Sequence, residues 1–294
     1  MTQKGSRSRA ARVVDFHTHI FPDWLARDRL RYAERDATLA ELYGDPKSRM
    51  AGAEDLIAAM DEDGVDVSVV MGVGWTDQAL ARDANDYLIE STGRYPGRLF
   101  GFGGLNPAWG EGAAREAERC ADAGLIGVGE LHPDTQGYDL DDPAVMEPLM
   151  EVVRERKLIV ATHSSEPVGH AYRGKGDNTP GKLWRFILAN PDVPLVFAHW
   201  GGGLPFYSLM PEVRDAFGNV YFDTAASPFL YTPRVFPAVA SLVGHERILF
   251  GSDFPLARAR RVLAEIEESE LSQPAKEAVS GANAEALLWG GSRS

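Results

Sequence analysis

Positive charge is scarce in this chain: 30 Lys and Arg stand against 43 Asp and Glu, a net charge of −13. A phosphate backbone or an anionic membrane surface is repelled by such a molecule, so nucleic acid and membrane are excluded as partners. Cysteine is nearly absent. The lone Cys120 cannot close an internal disulfide, and within the helical stretch GAAREAERCADAG it reads as a small buried residue of a cytoplasmic protein. No apolar run reaches the ~18 residues of a bilayer-spanning helix. The first twelve residues, MTQKGSRSRAAR, are basic and Ser-rich, but no apolar segment follows, so we expect a disordered tail over 1–12 rather than a secretory signal, and one domain over 13–294. Three motifs are also missing. No glycine fingerprint follows the first strand pattern, no G-x-S-x-G surrounds Ser252, and no lysine follows Gly201, Gly202 and Gly203 at P-loop spacing.

What is present is one phrase repeated eight times: a short apolar run, a Gly/Pro/Asn/Asp cluster, then a stretch of helical period. The runs are VVDFHTH (13–19), VDVSVVMGV (65–73), RLFGFGGLNP (98–107), GLIGVGELH (124–132), KLIVATHSSE (157–166), PLVFAHWGG (194–202), NVYFDTAAS (219–227) and RILFGSDFP (247–255). Strands so apolar imply a parallel sheet covered by helices, and eight of them alternating with helices predict an α/β fold, a single-domain (β/α)8 TIM barrel. Two connections are too long for turns. The first, Ile20 to about Met50, is an insertion between strand 1 and the first barrel helix and looks partly helical. The second, Ser164 to about Pro180, is a long polar loop after strand 5. Both leave C-terminal strand ends, where barrels carry their chemistry, and connections of this length act as lids or binding loops.

Side chains at i and i+2 on a strand share a face, so His17 and His19 present two imidazoles together. Glu130, His163, His199 and Asp253 fall at the ends of strands 4, 5, 6 and 8. A barrel gathers these six positions around one axis. Four of the seven histidines are among them, and mixed imidazole and carboxylate donors suit a divalent metal: zinc first, then manganese, with iron and nickel also compatible.

The strings DFHTHIFP, ATHSSEP, VFAHWGGG and ILFGSDFP resemble the amidohydrolase superfamily of metal-dependent barrels, in particular its amidohydrolase-2 branch. The resemblance runs from about Val13 to the closing GANAEALL. It implies that His17, His19 and Asp253 hold a first metal and that His163 and His199 hold a second, bridged by Glu130 where many relatives have a carboxylated lysine. It implies equally a one-metal version with His199 as an acid/base or substrate-polarising residue. The expected activity is hydrolysis of an amide, lactone or ester in a small molecule, by metal-activated water with Asp253 as general base. The alternative is a mononuclear decarboxylase or hydratase acting on a small carboxylic acid. A homo-oligomer is a further expectation of the resemblance.

Around this constellation, Trp75, His132, His170, Tyr172, Arg173 and Lys175 are candidate substrate-binding residues, the last four as loop groups that could capture an anion. Asp15, on the face of His17, is a candidate to orient a ligand ring or a carboxylate held by backbone. Asp223 is a polar group of strand 7 with no assigned role. His245 is expected near a helix end, outside the site.

Overall fold

The computed structural model describes residues 12–290; the expected tail lies outside them apart from Arg12. Eight parallel strands run in sequential order, β1 (Val14–His19), β2 (Val67–Met71), β3 (Leu99–Gly103), β4 (Gly127–Leu131), β5 (Ile159–Thr162), β6 (Leu195–Phe197), β7 (Val220–Asp223) and β8 (Ile248–Leu249). Helices follow them, among them Gln78–Arg94, Pro143–Arg156 and Pro180–Ala189. The barrel closes through the segment after β8: Phe16 N–H donates to Phe250 O at 2.7 Å, His19 N–H to Phe254 O at 2.7 Å, and Asp253 N–H to His17 O at 2.9 Å. This is the expected (β/α)8 barrel.

Two apolar layers hold it. Val14, Phe16, Val67, Val69, Phe102, Ile159, Val196 and Leu249 come from strands all round the barrel and fill its interior, with Phe16 and Phe102 edge to face at 5.8 Å. A second, larger layer joins the outer strand faces to the helices. Buried apolar area of this extent is the main stabilising contribution.

Two departures from regular pairing matter for the site. The β1–β2 register slips between Asp15 and Thr18, and the β4–β5 register slips between Val128 and Leu131. Such irregularities re-aim side chains: Phe16 packs into the interior while the neighbouring His17 also reaches inward above it. The last strand is shorter than the nine-residue run predicted. Beyond Leu249 the chain leaves the ladder to hydrogen-bond β1, and Gly251 passes so close that a Cβ there would lie 2.8 Å from His17 Cβ. The insertion after β1 is helical as expected, with short helices Asp23–Arg27, Arg29–Ala33 and Ala37–Tyr43.

Candidate metal centre

Every one of the six expected donors reaches the C-terminal mouth. His17 and His19 lie on β1 and Glu130 on β4; His163 follows β5, His199 sits in the turn after β6, and Asp253 in the segment after β8. His199 and Asp253 are off their strands, in left-handed backbone at φ 57° and 65°, where a side chain costs about 1–2 kcal/mol. Hydrogen bonds hold both: His199 N–H donates to Asp223 Oδ1 at 2.9 Å, and Asp253 is anchored to the His17 carbonyl.

Glu130 is the hub. Its Oε2 lies 3.6 Å from Nε2 of both His17 and His19, and its Oε1 lies 3.2 Å from His163 Nδ1 and 3.4 Å from His199 Nε2. Asp253 Oδ1 is 3.6 Å from His19 Nε2. Two groups of three thus share one carboxylate, the donor atoms of each within 4.8 Å of one another. Donors on one cation with bonds of about 2.1 Å stand about 3.0 Å apart in an octahedron and about 3.4 Å in a tetrahedron. The observed separations of 3.2–3.6 Å lie around the tetrahedral value and above the octahedral one.

The proton positions point the same way. His19 Nδ1 faces Met71 O at 3.2 Å and His199 Nδ1 faces Ala225 O at 3.0 Å. A carbonyl only accepts, so both rings carry a proton on Nδ1 and turn Nε2 to the centre. Yet His17 Nε2 and His19 Nε2 lie 3.0 Å apart. Burial opposes charge on His17, but Asp223 and Glu130 outweigh it and hold that imidazolium well above its usual pKa; Glu130 likewise brings His199 up to about 9 against burial. Burial and the charge of His17 pull His19 down. The Glu130 carboxyl, despite burial, is held well below its ordinary range by His17, His163 and His199. The pocket demands positive charge at its centre, which the donor set can meet with a divalent cation.

The structure sorts the remaining candidates. His132 lies flat on His163, ring centroids 4.2 Å apart at 14°, and burial followed by the charge of His163 brings its pKa down to about 3. Its Nδ1 lies 3.2 Å from Thr135 Oγ1, which is itself 2.5 Å from Thr38 Oγ1. His170, Tyr172 and Arg173 line a cavity of about 490 Å³ over the donors. Arg173 is already paired there with Asp45 at 2.9 Å, tying the loop to the insertion. Lys175 is not in that cavity: its ammonium donates to Val168 O at 2.7 Å and His170 O at 3.0 Å, which closes the loop on itself. Trp75 does not line it either. That ring is buried in the apolar cluster of Phe21, Leu25, Leu39 and Leu80.

Asp15 meets no imidazole ring. Its Oδ1 accepts from the backbone N–H of Ser252 at 2.8 Å and of His17 at 3.4 Å, and burial, partly offset by Ser252, raises it to about 7. The ring of His17 instead meets Asp223, with Nδ1 2.7 Å from Oδ2. The cavity also contains residues that the sequence did not single out: Tyr43 and Arg49 of the insertion, and Phe229 and Leu230 beyond β7. Their position inside the long insertion was the available signal for the first two. His245 is exposed beside Glu246, away from the donors, as expected.

Comparison with known proteins places this geometry in context. The chain is 23% identical over 328 residues to 2-amino-3-carboxymuconate-6-semialdehyde decarboxylase of Dictyostelium discoideum, covering 92% of this chain and 90% of the relative. It is 24% identical over 295 residues to gamma-resorcylate decarboxylase of Polaromonas sp. strain JS666, covering 82% and 89%. Its fold is shared with 5-carboxyvanillate decarboxylase of Novosphingobium aromaticivorans, crystallised with manganese and 4-hydroxy-3-methoxy-5-nitrobenzoic acid, at a TM-score of 0.77, 20% identity and coverage of 93% and 95%. The sequence model of the amidohydrolase family matches residues 14–289, the whole barrel, and the chain therefore belongs to that family of enzymes, in the amidohydrolase-2 branch.

Proposed function

We propose that the chain is a metal-dependent lyase that removes CO2 from a small carboxylic acid, with His17, His19, Glu130, His163, His199 and Asp253 as the donor set. The observation that carries the reading is the cavity above them, which places the cationic side chains Arg49 and Arg173 over a buried donor cluster in a chain of net charge −13. Arg49 makes no ion pair or hydrogen bond among the described residues and is free to take a substrate carboxylate. The relatives named for decarboxylation support the lyase over the hydrolase that the sequence ranked first.

A divalent cation held among these donors would supply Lewis acidity toward a substrate oxygen. Decarboxylation breaks the C–CO2 bond and leaves its electron pair on carbon, so a proton must reach that carbon. Asp253, 15% exposed at the cavity edge, is the group we assign to take that proton from solvent water and pass it to the carbon. His199, fixed by Ala225 O on one side, keeps its other nitrogen toward the centre. The stacked pair His132 and His163 forms one wall, and His170 and Tyr172 of the long loop cover the opening. Zinc stood first on donor type alone. Manganese is the ion to load first, because the N. aromaticivorans enzyme carries it and the same mixed donors accept it. The sharing of Glu130 by two donor groups leaves a second cation open, and that feature favours the hydrolase as the second reading.

The test is metal analysis of the purified protein, then CO2 release from 5-carboxyvanillate and γ-resorcylate with and without chelator, beside a panel of lactones and amides. Turnover of a carboxylic acid that stops on chelation is expected. Turnover confined to lactones or amides would overturn the lyase. No described helix is long and apolar enough to cross a membrane, and a cytoplasmic homo-oligomer remains part of the proposal.

A further inference from the structure

Asp223 is wholly buried and divides its two oxygens between two tasks. Oδ1 accepts two backbone donors, His199 N–H at 2.9 Å and Ala225 N–H at 3.0 Å. Among the described residues Oδ2 faces only the ring of His17, 2.7 Å from Nδ1. The first task holds a donor-bearing turn in left-handed backbone; the second bears on an imidazole 206 positions away in sequence. His19 and His199 have backbone carbonyls behind their rings, which can only accept. His17 alone of these three is backed by a side chain, and so by a group that substitution can change from acceptor to donor.

From this division of labour we infer that Asp223 is a positioning residue: by keeping the Nδ1 proton of His17 it makes Nε2 the nitrogen that gives up its proton to a cation, and it sets the His199 turn with the same carboxylate. The inference rests on the metal-dependent reading above. It gives Asp223 the role that sequence position suggested for Asp15, whose carboxylate is occupied by backbone N–H groups instead.

The substitution Asp223→Asn separates tautomer control from shape. Two backbone N–H groups require an oxygen at the Oδ1 position, so the amide nitrogen must occupy the Oδ2 position and donate to His17 Nδ1. That ring is then forced to carry its proton on Nε2 and loses its lone pair toward the centre. Asp223→Ala removes the acceptor without imposing a donor. A merely structural aspartate predicts that Asn, nearly the same shape, is milder than Ala; tautomer control predicts the reverse order.

The experiment is Mn2+ titration of chelator-stripped wild-type, Asp223→Asn and Asp223→Ala proteins by calorimetry, with thermal unfolding as the check on folding. The expected order of affinity is wild type, then Ala, then Asn, with Asn weaker than wild type by about 10- to 100-fold. Asn binding as well as wild type, or better than Ala, overturns the inference while leaving the metal reading intact. A wild type that takes up no Mn2+ overturns both. One measurement needs no variant: 15N spectra of the zinc-loaded wild type should show the His17 proton on Nδ1, and a proton on Nε2 overturns the inference.

Discussion

His17 and His19 bring their Nε2 atoms to 3.0 Å from each other, although His19 is already committed through Nδ1 to the Met71 carbonyl. Two imidazoles meeting nitrogen to nitrogen at this distance need a proton or a cation between them. Metal should therefore stabilise the fold as well as serve the chemistry. At a free Mn2+ concentration about 100-fold above its Kd the gain is about 2.7 kcal/mol, which for a chain of this size raises Tm by about 4 °C. Calorimetric scans with Mn2+ and with chelator measure it, and identical melting in the two would remove the cation from this site.

Loss of a donor should act on turnover far more than on folding. His17→Ala and Asp253→Asn are expected to lower CO2 release at least about 1000-fold while the far-ultraviolet circular dichroism stays that of the native barrel. The two differ in cause. The first deletes an inner donor, whereas the second keeps an oxygen near His19 but cannot carry a proton. Wild-type turnover by either variant would remove that residue from the mechanism.

The parallel contact of His132 on His163 is a packing relationship that stability measurements can read. His132→Ala leaves a void against one face of His163 and should cost about 2–4 kcal/mol in denaturant unfolding. His132→Phe restores a flat ring and should recover most of that stability. Equal stability of the Ala and Phe variants would show that the stack contributes nothing.

Cys120 is buried, and burial followed by the charge of Glu116 pushes its thiol up to about 12. A thiol raised in this way carries essentially no thiolate at neutral pH, and thiolate is the reactive form. Iodoacetamide at pH 8 should leave the native protein unlabelled and label it fully after unfolding in guanidinium. Rapid native labelling would contradict the burial.

Gly202 has φ 56° and lies against the Ser165 carbonyl, which a Cβ would overlap. Gly202→Ala should therefore cost more than about 2 kcal/mol, combining left-handed strain with a steric clash. Because the same turn carries His199, activity should fall in parallel. Unchanged Tm in this variant would mean that the turn and the long loop can separate without cost.

The chemical identity of the site was legible in the amino-acid order. Alternating apolar runs and helical stretches give strand ends, strand ends define one rim, and the donor-type residues at those ends do converge, five of them in two clusters that share Glu130, with Asp253 beside His19. The buried Cys120 and the helical insertion were legible for the same reason: each depends on local pattern and residue size. Pairing across the barrel was not. Period-two alternation put Asp15 on the face of His17, but the register slip in β1 turned the ring away from it and toward Asp223, far along the chain. Trp75 and Lys175 had the right chemistry for a pocket wall, and packing put one in an apolar cluster and folded the other back on its own loop. Arg49 and Tyr43 gained their place only because the insertion lies over the mouth. Residue type and period determine which groups are available at a strand end; register shifts and loop closure, set by long-range packing, decide which of them face one another.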